Sequence, residues 1–222
     1  MNSEEWEFVR FTTLMAALST VLMLPFGLAL AWWLAKAKSR GKTIVETFVT
    51  LPLVLPPVAT GLVLLKLFGR RGPLGGWLHN AFGLDVIFTW RAVAIALAVM
   101  SLPVFVRAVR TAFEEINPLY EEMARTLGAG EWRVFFTIIL PLARRGVLAG
   151  TMLALARALG EFGATIMVAG NIPGETTTLS VAIYQYVQLG QDLRAWTLAG
   201  VSALLAFAAV WTSELLISHR KK

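Results

Sequence analysis

Apolar blocks long enough to cross a bilayer constrain this chain more than any other feature. They cover residues 8–35, 44–68, 90–113, 146–169 and 196–217 of 222, each at or above the ~20 residues a helix needs for a hydrocarbon core of about 30 Å. No water is available at that depth, so backbone N–H and C=O groups must pair within each segment, which selects helices. The spacing predicts an all-α integral membrane protein with about five spans in one transmembrane domain over residues 1–222, and one long polar connection at 114–145.

A net charge of +6 would direct a soluble chain toward nucleic acid, but here the placement of charge describes a membrane orientation. Lys36, Lys38, Arg40 and Lys42 follow the first block. Arg107, Arg110, Arg125, Arg133, Arg144 and Arg145 surround the polar connection, and Arg220, Lys221 and Lys222 end the chain. With five spans all three groups share one side. Glu4, Glu5 and Glu7 begin the other, so the positive-inside rule puts the N-terminus outside and the C-terminus in the cytoplasm. Arg70 and Arg71 run against this assignment. The acidic start and long first block are unlike a cleaved signal peptide, so the first span is expected to remain. The absence of cysteine removes thiolate sites, and His79 has no second histidine or acid cluster near it, so no metal site is expected.

Two blocks carry residues that a simple lipid-facing helix would not. In the second, Leu51-Pro52-Leu53-Val54-Leu55-Pro56-Pro57 removes three backbone donors, which excludes a straight helix. Its bend is either a wall beside a translocation path or a packing kink. In the fourth, Arg157 and Glu161 fall roughly 16 to 22 Å beyond Gly146 at about 1.5 Å per residue, near mid-membrane, and their i, i+4 spacing places them on one helical face. With Thr165 they form either a polar pathway or gate, or an ion pair that locks helices together. Gly146, Gly150, Gly160 and Gly163 allow close approach, and this helix is expected to be central. Residues 69–89, with Trp77 and Trp90, read as an outer loop with interfacial anchors. The stretch 175–194 fits either an outer amphipathic helix or a partial re-entry.

The polar connection has structure of its own. Leu119, Tyr120, Met123, Ala124 and Leu127 recur at helical spacing among charges of both signs, and Gly128 followed by Ala129-Gly130 can close that helix with a left-handed turn. Pro141 marks the start of the next span. Such a knob is either a docking element for another protein or a helix lying on the membrane surface. Gly41-Lys42-Thr43 has the ending of a phosphate-binding loop, but Lys36 occupies the position of its required first glycine. ATP and Mg, if they drive this protein, bind a separate subunit.

Glu122, Ala124 and Gly128, followed by Ile138, Leu140 and Pro141, resemble the EAA loop of ABC-importer permeases, with Met123 where that family usually has alanine. Leu51 to Pro57, Gly69-Arg70-Arg71-Gly72, Gly160-Glu161-Phe162-Gly163-Ala164-Thr165 and Asn171-Ile172-Pro173-Gly174-Glu175-Thr176 look like the molybdate and tungstate branch. Sulfate permeases share the Gly-Glu-Phe-Gly core. The resemblance implies a type I importer permease of the cytoplasmic (inner) membrane. It further implies a homodimer, two cytoplasmic ATPase subunits docked on the loops, an external oxyanion-binding protein, and no catalytic residue or bound cofactor in this chain. A secondary transporter would want repeated halves, and an intramembrane enzyme a nucleophile with its base; neither pattern is found in the sequence.

Overall fold

The computed structural model describes residues 2–37 and 41–218. Lys38, Arg40, His219, Arg220, Lys221 and Lys222, on which part of the charge argument rests, lie outside the described residues. All regular structure among the described residues is helical. In chain order the helices are α1 (Ser3–Lys36), α2 (Gly41–Val54), α3 (Pro57–Phe68), α4 (Pro73–Phe82), α5 (Trp90–Glu114), α6 (Pro118–Thr126), α7 (Glu131–Val134), a π turn (Phe135–Ile139), α8 (Leu140–Leu159), α9 (Gly163–Ala169), α10 (Leu179–Gln188) and α11 (Asp192–Ser218).

 The α8 segment, Leu140–Leu159, continues the helical run that starts at Glu131 and passes through the π turn, so this span is 29 residues long and begins ten residues before Pro141. Four helices are long and apolar enough to cross a membrane, Ser3–Lys36, Trp90–Glu114, Glu131–Leu159 and Asp192–Ile217, and the bent pair α2 and α3 makes a fifth span if counted as one.

The central helix is α5, not the fourth block as its glycines suggested. Val93, Ala96, Leu97, Met100, Phe105, Val106 and Val109 are all buried, because α1, α8 and α9 cover α5 from several sides. One core cluster joins α5 to α3, α8 and α9, and a second joins it to α1 and the π turn. On the far side of α8, Ser213 of α11 donates to the Ala149 carbonyl at 3.0 Å. The stretch 175–194 holds one short helix between the turn after Pro173 and α11. Its ten-residue α10 packs against α1 and α11, and the Leu179 N–H donates to Thr12 Oγ1 at 2.7 Å.

Two of the expected spans are broken. The second block bends by 114° between α2 and α3, at the prolines that remove its donors. The fourth stops at Leu159 and restarts at Gly163, so residues 146–169 are not one helix. The two breaks face each other. A Cβ on Gly163 would lie 2.7 Å from Pro57 Cβ, and one on Gly61 would lie 2.7 Å from Met167 Cβ and 3.0 Å from the Ala164 backbone. These contacts exist only because both positions lack a side chain.

This packing predicts that Gly61→Ala lowers the thermal unfolding midpoint of the detergent-purified protein, by overpacking worth about 1–3 kcal/mol. Gly160→Ala, where an added Cβ meets nothing within 4 Å, serves as the control and is expected to change stability by no more than about 0.5 kcal/mol. Equal midpoints for the two variants would contradict the close α3–α9 contact.

Candidate coupling surface and gate

The knob at 114–145 is built from α6, a glycine turn and the start of the next span. Asn117 Oδ1 accepts from the Leu119 N–H at 3.0 Å and Pro118 occupies the first turn, so α6 starts with a capped end. It ends where Gly128 takes φ +83°. There the Gly128 N–H reaches the Arg125 carbonyl at 2.9 Å and the Ala129 N–H the Ala124 carbonyl at 3.0 Å, the paired bonds of a Schellman cap.

One side of α6 is anchored and the other is free. Lys36 at the end of α1 contacts Glu121 at 2.6 Å and Glu131 at 3.6 Å, while Arg125 contacts Glu131 at 2.9 Å and Glu121 at 3.4 Å. Beside this four-charge network, the Trp32 ring packs 4.6 Å from Phe135 and 5.7 Å from Trp132, centroid to centroid. Being partly exposed, each ion pair contributes little alone, but together they fix the register of the knob on α1. The opposite side presents Leu119, Tyr120, Met123 and Leu127, with Leu127 87% exposed. Trp132 and Phe136 extend this apolar surface. Exposed apolar side chains at this density fit both readings of the knob, a docking element and a helix on the membrane surface.

The six residues of the loop pattern take different parts in it. Glu122 is exposed at the edge of the apolar face and makes no ion pair among the described residues. Ala124 is half-buried against the second core cluster, and Gly128 makes the turn. Ile138 and Leu140 are half-buried in or beside the π turn, and Pro141 is exposed just after it. Proline cannot donate to the carbonyl four residues back, and the wider π turn relieves the clash of its ring. Of the anchoring residues, the sequence marks Lys36 and Arg125 only as charges of one membrane side and does not distinguish Glu121 or Glu131; Glu121 and Glu122 look equivalent there.

At the paired breaks, Arg157 Nη1 lies 2.8 Å from Glu161 Oε2, so the ion pair expected from the spacing forms. Its geometry differs from a shared helical face, because Glu161 lies beyond the end of α8. The Glu161 side chain is almost wholly buried, and its second oxygen accepts the Ala164 N–H at 2.8 Å. The carboxylate thus satisfies both the guanidinium behind it and a free donor of the restarting α9. Thr165 is also buried, and its hydroxyl donates to the Phe162 carbonyl at 2.8 Å. Arg157, Glu161 and Thr165 are brought together as a clasp around the break. Among the described residues, no three acidic or histidine side chains gather to hold a metal ion.

Glu161→Gln leaves an acceptor for Ala164 but strips Arg157 of its counter-charge, and is expected to cost about 1–3 kcal/mol in thermal unfolding. Glu161→Ala loses both interactions and should cost more. A Gln variant that unfolds with the wild type would show that the pair does not hold the break.

Residues 11–221 match the family described as the binding-protein-dependent transport system inner membrane component. The chain is 46% identical over 217 residues to the molybdenum transport system permease protein ModB of Escherichia coli (strain K12), covering 97% of this chain and 95% of that protein. Identity to the sulfate transport system permease protein CysW of Synechocystis sp. is lower, 38% over 208 residues, covering 94% of this chain and 75% of that protein. A crystal structure of the bacterial alginate ABC transporter, in complex with an alginate pentasaccharide-bound periplasmic protein, shares the fold with TM-score 0.70 at 19% identity, over 96% of this chain and 78% of that one. The matched family spans nearly the whole chain and both broken segments, and the chain therefore belongs to the inner membrane components of binding-protein-dependent transport systems.

Proposed function

We propose that this chain is the membrane-spanning permease subunit of an ATP-driven importer of molybdate, with tungstate as a second cargo. The observation that carries the cargo assignment is the 46% identity to a molybdenum permease over 97% of the chain, against 38% to a sulfate permease. Two copies face each other around the translocation path. Two cytoplasmic ATPase subunits bind ATP and Mg and receive the exposed Leu119, Met123 and Leu127 face of the knob. An external binding protein delivers the oxyanion to the opposite side, and the N-terminus is outside with the C-terminus in the cytoplasm.

The geometry supports alternating access through the paired breaks. Closure of the ATPase pair moves the knob, and α7, the π turn and α8 carry that movement as one helix up to Leu159. There the rigid element ends at the Arg157–Glu161 clasp, against the 114° bend of α2 and α3. A helix end packed on a bend can change the spacing between copies without unfolding either segment. Arg157, Glu161 and Thr165 are assigned to this gate, and Glu122, Ala124, Gly128, Ile138, Leu140 and Pro141 to coupling.

The test of cargo is ATP hydrolysis by the reconstituted permease, ATPase and binding protein across molybdate, tungstate, sulfate and phosphate. Stimulation by molybdate and tungstate alone is expected; stimulation by sulfate would move the protein to the sulfate branch. For coupling, Gly128→Val forces a β-branched residue to φ +83°, a strain of about 1–2 kcal/mol that drives the turn away from its native shape. Uptake by Gly128→Val and Glu122→Lys should fall while both proteins stay folded in the membrane. Wild-type uptake in both would contradict the docking role.

A further inference from the structure

At the end of α5 opposite the knob, the last turns of α3 and the loop 85–88 enclose a groove of about 670 Å³. Lys66, Arg70, Arg71 and Asp85 line it. Arg70 grips Asp85 with two hydrogen bonds, Nε to Oδ1 at 2.8 Å and Nη2 to Oδ2 at 2.6 Å. This hydrogen-bonded guanidinium holds the Asp85 carboxyl down at about 2, so the pair is fully ionised and internally neutral at neutral pH. His79 Nδ1 lies 3.2 Å from Asp85, within ion-pair distance but outside hydrogen-bond geometry, and Arg91 donates to the Asp85 backbone carbonyl at 3.3 Å. Lys66 and Arg71 remain. Neither makes an ion pair or side-chain hydrogen bond among the described residues, and both are exposed.

The adjoining α4 sets the depth of this groove in the membrane. Leu74 and Trp77 lie on one exposed side of α4, with Phe82 also exposed and edge-on to Trp77 at 5.6 Å. The helix cannot roll to bury them, because its Gly75 is pressed so closely on the Phe68 and Gly69 carbonyls that a Cβ would lie 2.1 and 2.3 Å from those oxygens. A short helix with an exposed tryptophan and other apolar side chains, directly following a span, lies in the interface at headgroup level. Arg71 immediately precedes α4, and Lys66 lies in the last turn of α3. Two unneutralised cations are therefore fixed at headgroup depth, on the side where the positive-inside tendency disfavours them. Their charge calls for an anion that resides there.

We propose that this groove seats the phosphate of an anionic phospholipid, with Lys66 and Arg71 supplying the opposing charge and Leu74 and Trp77 lying against its acyl chains. The outer placement rests on the orientation proposed above, whereas the pairing of cations with an interfacial apolar helix does not. The test uses the permease assembled with its ATPase subunits in bilayer discs of mixed phosphatidylglycerol and phosphatidylcholine, extracted into detergent, with retained lipid counted by native mass spectrometry. Wild type should keep phosphatidylglycerol selectively. Lys66→Gln and Arg71→Gln should each lower its retention about fivefold, the equivalent of ~1 kcal/mol per headgroup cation. Lys66→Arg and Arg71→Lys should restore it. Unchanged retention in the double Gln variant would overturn the proposal, and displacement of the lipid by added molybdate would assign the groove to the free oxyanion instead. Loss of binding-protein association by the Gln variants, with lipid retention intact, would overturn it in favour of a protein contact. The readout is lipid, not transport, so its failure leaves the importer reading standing.

Discussion

The structure depends on one constraint of the bilayer: a helix broken inside hydrocarbon must find partners for the backbone groups it frees. This chain breaks two of its apolar blocks and packs the breaks together. Gly163 lets α9 rest on Pro57, Gly61 lets α3 approach Ala164, and Glu161 gives the first turn of α9 its acceptor. Burying a carboxylate so deeply would be costly without a counter-charge, and Arg157 at 2.8 Å provides it. Remove any of these contacts and the neighbouring ones lose their support, which is why small residues and a charged pair occur in the same short segment.

The second organising feature is continuity. From Glu131 to Leu159 the chain forms one helical run, interrupted only by a π turn that absorbs Pro141. The knob is tied to α1 by Lys36 and Trp32 and leads directly into the helix that ends at the clasp. Only the short turn around Gly128 separates α6 from the helical run that ends at the breaks.

Much of this was legible in the sequence. Apolar length located the first, third and fifth helices but not the fourth, which runs from Glu131 to Leu159; the prolines gave the bend, and the spacing of Arg157 and Glu161 allowed their pairing. The glycine at 128 announced the turn it makes. What stayed hidden depended on tertiary contact. The break after Leu159 interrupts a run that is apolar on both sides, and only its seat on Pro57 makes the interruption favourable. Glu121 and Glu122 are adjacent and chemically alike, so which one faces Lys36 follows from the docking of α6, not from composition. The glycines of α8 suggested a central helix, whereas the packing of α1, α8 and α9 around α5 decided that place.

If the knob and the paired breaks move as one relay, a nucleotide-driven change at one must be accompanied by a change at the other. The chain has no cysteine, so Leu127→Cys and Leu55→Cys each provide a single site for a spin label, one at the tip of the knob and one at the bend of the second block. Both positions are exposed. In the reconstituted complex, pulsed dipolar spectroscopy would measure each label's distance to its counterpart in the second copy, with and without a non-hydrolysable ATP analogue. The account predicts that nucleotide shortens the distance at residue 127 and changes the distance at residue 55 in the same sample conditions. Closure at 127 with an unchanged distance at 55 would contradict it.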